Sequence, residues 1–174
     1  MKRLAAVVLT MSMGLSLAGC SGNPYKEGVS HLKSEQYKQA EKSFKEAVKQ
    51  DKNVADSYRG IGIACFEQKD YKGALIAFEK AVKAGTKENA TLYNLMGSCA
   101  LKLEDGKSAL SYFEKGLSAS GVSDEMKREM EYNVIVSYEK LQSWEKAKEK
   151  LNEYLKKYPD DKTAKKEVEF LETR

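Results

Sequence analysis

From about residue 21 onward the chain repeats itself. A shift of 34 lays Gly28 on Gly62, Tyr37 on Tyr71, Ala40 on Ala74, Phe44 on Phe78, Ala47 on Ala81 and Val48 on Val82. A further shift of 35 carries Gly62 to Gly97, Ala74 to Ala109, Phe78 to Phe113 and Ala81 to the small residue Gly116. A third shift, of 38, carries Ala109 to Ala147 but puts Leu151 in place of Phe113 and Tyr154 in place of Gly116. A unit of this length cannot bury its apolar face alone and must stack on copies of itself. The fourth copy is the weakest, with Ile135 or Val136 where glycine is expected and Trp144 in place of the tyrosine.

Helix signals fall inside this frame. Asn23-Pro24 reads as an N-cap followed by proline at the first helical position, where the missing N–H costs nothing. Helices are predicted at about 24–34, 37–50, 54–68, 71–84, 89–103, 106–119, 124–141 and 144–157. Asp70, Asp105 and Gly106 mark turns within repeats, and Gly85 and Gly121 close second helices. Ser123, followed by Asp124 and Glu125, caps the seventh helix and complements its dipole. Tyr158-Pro159 ends the fourth unit. A last helix at 162–172 carries Ala164, Val168 and Leu171 on one stripe, which suits a terminal cap.

The repeating residues resemble the tetratricopeptide repeat, whose pattern puts Gly-x-x-Tyr in a first helix and Ala-x-x-x-Phe in a second, with small residues where the two helices cross and an aromatic filling the gap beside them. The resemblance implies an all-α fold, an α-solenoid of about four helix-turn-helix repeats (about 21–54, 55–89, 90–127 and 128–161) with a capping helix in 162–174. It also implies a groove, lined by the first helix of each repeat, that holds a partner's peptide or helix. Projected onto this chain, the inner row is Tyr25, Val29 and Leu32, then Arg59, Ile63 and Phe66, then Asn94, Ser98 and Leu101, then Tyr132, Asn133 and Val136. Chaperone-binding members of the family clamp a C-terminal carboxylate with lysine and asparagine. Tyr25, Val29, Gly60, Thr91 and Leu95 stand in those slots here, which disfavours that partner class.

Residues 1–20 differ in kind. Lys2 and Arg3 precede an uncharged, mostly apolar run from Leu4 to Leu17. That run is ~14 residues against the ~20 a membrane-crossing helix needs, so it reads as the core of an export signal. Leu17-Ala18-Gly19-Cys20 resembles the bacterial lipoprotein box. The resemblance implies cleavage after residue 19, acyl chains on Cys20 and a tether over 20–23. Such a tether reaches no more than ~15 Å at ~3.3–3.6 Å per residue. The expected location is the cell envelope, lipid-anchored and outside the cytoplasm. The same resemblance implies that Ser21, where Asp would retain the protein at the inner membrane, favours onward sorting to an outer membrane where the host has one.

Composition narrows the function. The whole chain carries 30 basic and 26 acidic residues, and without Lys2 and Arg3 the balance is 28 to 26. That is too even for a nucleic-acid binder. One histidine and three cysteines leave little for a metal site or a histidine-dependent active centre. His31 falls in a packing slot, Cys65 and Cys99 read as buried free thiols, and Gly60-Ile61-Gly62 lacks the strand and lysine of a phosphate loop. The Lys/Glu alternation over 145–167 reads as a solvated face. The expectation is therefore a scaffold or assembly factor without catalysis or cofactor, binding other envelope proteins through its groove. A glycan or small-molecule receptor is the alternative reading, and an open groove rather than an enclosed pocket argues against it.

Overall fold

The computed structural model describes residues 22–174; the expected export signal, Cys20 and Ser21 lie outside the described residues. Nine α-helices account for the described fold: α1 (Pro24–Lys33), α2 (Tyr37–Lys49), α3 (Val54–Glu67), α4 (Tyr71–Lys83), α5 (Ala90–Lys102), α6 (Gly106–Ser118), α7 (Asp124–Lys140), α8 (Trp144–Lys157) and α9 (Lys162–Glu172). Each packs on its chain neighbours, and α1 also meets α3, as α5 meets α7. The odd-numbered helices form one layer and α2, α4, α6 and α8 the other.

The glycine–phenylalanine frame is the pairing device. An added Cβ at Gly62 would sit 2.4 Å from the Phe78 ring, and one at Gly97 would sit 2.6 Å from Phe113. Phe44 is gripped from both sides, 2.7 Å from such an atom on Gly28 and 2.5 Å from one on Gly60. All three rings are 1 % exposed or less, a burial worth ~1.5–3 kcal/mol each. The fourth pair inverts the scheme: Ile135 and Leu151, both buried, meet in one core. Bulk lost from the second helix is restored by the first, and Ile135 rather than the half-buried Val136 takes the glycine slot.

Capping follows the local chemistry. Asn23, Asp70, Asn89, Asp105, Ser123 and Asp161 each accept backbone N–H groups of the helices they precede. Gly85 at φ +94° closes α4, as expected. Gly121 does not close α6: that helix ends at extended Ala119, and Gly121 at φ +74° turns the chain two residues later. The turns inside the four repeats instead use Glu35, Lys69, Glu104 and Gln142, all at φ between +54° and +63°. Left-handed backbone thus recurs at the repeat spacing on residues that pay for it in sterics.

Candidate functional site

None of the projected inner-row residues is buried; Arg59 is exposed and the other eleven are half-buried. Tyr25, Val29, Leu32, Ile63 and Phe66 rest on the first core, Leu101 on the second and Tyr132 on the third. Tyr25 tilts against Phe44 at 5.9 Å and Phe66 meets Tyr71 edge-on at 5.7 Å. The Arg59 guanidinium pairs with Asp56 at 3.0 Å. Ser98 and Val136 are half-buried on their helices.

The row is stitched across repeats by polar contacts. Asn94 Nδ2 donates to Glu129 at 3.1 Å, and the Tyr132 hydroxyl to Glu167 at 3.4 Å, joining α5 to α7 and α7 to α9. The α7–α9 end holds a concavity of about 390 Å³ in which Tyr132 and Asn133 stand with Arg128, Glu129, Asp161 and Thr163. Burial and the Glu167 carboxylate push the Tyr132 phenol up to about 12. Burial, then the same carboxylate, lifts Glu139 to about 7.

Arg128 is a member the sequence did not reveal. Its Nη2 donates to Asp161 at 2.8 Å and its Nε to the Tyr154 hydroxyl at 3.2 Å, while the guanidinium lies 5.2 Å from the centre of the Tyr158 ring. Asp161 also caps α9 by accepting from the N–H groups of Thr163 and Ala164. The Arg128 bond first, then those amides, holds the Asp161 carboxyl down at about 2. Its only signal in the chain was the four-residue spacing to Tyr132 on one helix face.

The remaining candidates are structural. His31 Nδ1 lies 2.7 Å from Gln36 Oε1 across its own turn. Cys65 and Cys99 are free and buried, and burial raises their thiols to about 11 and about 12. Gly60 lies under Phe44 rather than on the inner row. Not all of 145–167 is solvated: Lys157 reaches Glu131 on α7 at 2.7 Å, and Glu167 is half-buried. Among the described residues there is no group of three metal-binding side chains, and no helix long and apolar enough to cross a membrane. What this face offers chemically is amides, a guanidinium, hydroxyls and aromatic faces.

Paired helices stacked in two layers around Gly/Phe junctions define an α-solenoid of helix-turn-helix repeats. Residues 25–89, 90–121 and 131–161 each match the tetratricopeptide repeat. The chain is a tetratricopeptide-repeat protein. No curated protein matches it. Among solved structures it is similar to YrrB, described as a TPR protein with an unusual peptide-binding site (23% identity, TM-score 0.69, 81% of this chain and 70% of that one). It is also similar to MamA of Desulfovibrio magneticus RS-1 (21%, 0.73, 88% and 86%) and to a chain of the Cut9–Hcn1 assembly of the APC/C (17%, 0.62, 85% and 29%). At these identities the likeness is one of fold.

Proposed function

We propose that this protein is a lipid-anchored, extracytoplasmic scaffold that holds a peptide or helix of another envelope protein on its inner face. The observation that carries the reading is the inner row itself. Twelve positions projected from the repeat frame lie on the first helices of the four repeats, and none is buried. A rigid stack presents these groups preorganised, so the receptor side loses little freedom on binding. YrrB, similar in fold, is described as having a peptide-binding site, which supports a peptide as the occupant here. Anchoring rests on Leu17-Ala18-Gly19-Cys20 and the apolar run before it.

Two measurements test the two halves. Cys20→Ala should remove acylation and move the folded protein from membranes to the soluble fraction; continued detergent-sensitive membrane attachment sinks the anchor. In-cell crosslinking with mass spectrometry should capture a partner that Phe66→Ala and Tyr132→Ala weaken by roughly 2 kcal/mol, the scale of an aromatic anchor. A partner indifferent to both, and to Arg59→Ala, would remove the inner face from consideration.

A further inference from the structure

A second concavity lies on the opposite layer, between α2 and α4, with α3 as its floor; its volume is about 380 Å³. Ile61 and Ala77 are buried, 7 % and 5 % exposed, and half-buried Val48 and Tyr58 form the walls. Ile76 stands at the lip, 45 % exposed, the largest exposure of any bulky apolar side chain among the described residues. Such a volume is at the lower end for ligand pockets, enough for a large side chain or two. The flanking helices have 13 residues each, so the cleft can follow a partner chain for up to about 20 Å.

The lining carries three lysines, Lys45, Lys49 and Lys80, against two carboxylates, Glu41 and Asp70. Glu41 is engaged twice, by Lys45 and by Gln68 Nε2 at 3.0 Å, and the Lys45 bond first holds its carboxyl below the usual range. Asp70 is committed to the Gly73 N–H at the start of α4. Lys49 is only loosely paired, 3.7 Å from Glu46, and is 76 % exposed. Lys80 lies 5.6 Å from the Tyr58 ring centre and takes part in no ion pair among the described residues. The surrounding half of the chain has the same sign: residues 22–87 hold 13 basic and 9 acidic side chains, residues 88–174 hold 15 and 17.

We infer that the α2–α4 cleft is a second docking site, for an acidic peptide segment that carries a bulky apolar side chain. The side chain enters over Ile61 and Ala77 against Ile76, and flanking carboxylates meet Lys80 and Lys49. The site is separate from the inner face, so the protein can hold two segments at once.

The test is a fluorescence-polarisation titration of the full-length protein in detergent. The probe is a labelled polyglutamate peptide with one central phenylalanine, compared with polyglutamate lacking the phenylalanine and with a polylysine version. Saturable binding of the first alone is expected. Lys80→Glu and Ile76→Asp should each weaken it about tenfold or more, and Tyr132→Ala, on α7, should leave it unchanged. Lys49→Glu and Ile76→Ser, read beside the thermal midpoint, replace any variant that loses its fold. Absence of binding, indifference to the cleft variants, or loss on Tyr132→Ala overturns the assignment. So does self-association of the peptide-free protein that Lys80→Glu disperses, which would seat a second copy in the cleft.

Discussion

At the residue scale, the fold turns on single atoms missing from glycine. Alanine is the better helix former by ~1 kcal/mol, yet at Gly60 its methyl would meet a Phe44 ring held from the other side by Gly28. The ring has nowhere to retreat, and overpacking of this kind costs ~1–3 kcal/mol. Gly60→Ala should therefore lower stability by about 1 kcal/mol in urea denaturation; a gain would show that Phe44 can move. The left-handed turn residues predict the opposite sign. Lys69 sits at φ +63°, where a side chain clashes and glycine does not. Lys69→Gly should raise stability by about 1 kcal/mol, measured in the same way.

At the scale of the element, α9 is held by charge as well as by its buried Ala164 and Leu171. Asp161 both caps it and receives Arg128. Its carboxyl lies below the ordinary 3.8, at about 2, so its contribution is complete above pH 3.8 and is lost as pH falls toward 2. Glu139 is the reverse case. Its value rises from 4.5 to about 7, so stability is complete below pH 4.5 and is lost as pH climbs through 7. The buried Glu139 Oε1 has no hydrogen-bond partner, which fits a carboxyl poorly suited to ionising there. Glu139→Gln should thus raise Tm by several degrees at pH 8 and scarcely at pH 4.5, followed by circular dichroism. An equal shift at both pH values would place the effect in packing rather than charge.

Across the whole molecule, stability is a chain of neighbour contacts rather than one core. Three apolar clusters follow one another along the stack, and α4 meets α5 over a shorter stretch than α2 meets α3 or α6 meets α7. Leu92, Met96 and Cys99 of α5 join the first cluster and bridge that junction. Met96 is 3 % exposed, and truncating such a side chain costs ~2–5 kcal/mol. Met96→Ala should split a single urea transition into two, with hydrogen exchange protecting 24–83 and 90–172 unequally. A transition that stays single and merely shifts would show that the junction is not the weak point.

The period of 34, the glycine and phenylalanine slots and the capping residues determined helix order, helix bounds to within a residue or so, and which small and aromatic side chains meet at the helix crossings. These are legible because they are local: a cap acts on the next three residues, and a repeat meets the same neighbour each time. The inner row was projected from a slot that recurs in each repeat, and the structure puts its residues on the first helices with none buried. What the sequence did not reveal needed two or more separated segments at once. Arg128 matters because Tyr154 and Asp161 arrive from α8 and the start of α9, Glu139 because Glu167 is brought alongside it, and Lys80 because packing sets it beside Tyr58 at the α2–α4 cleft. Left-handed Glu35, Lys69, Glu104 and Gln142 were hidden for a different reason. Nothing in those side chains favours that backbone, and only the demand that each second helix fold back against its first imposes it. Spacing along the chain decided the elements; distances between chain-remote groups, which only packing creates, decided the charges and the clefts.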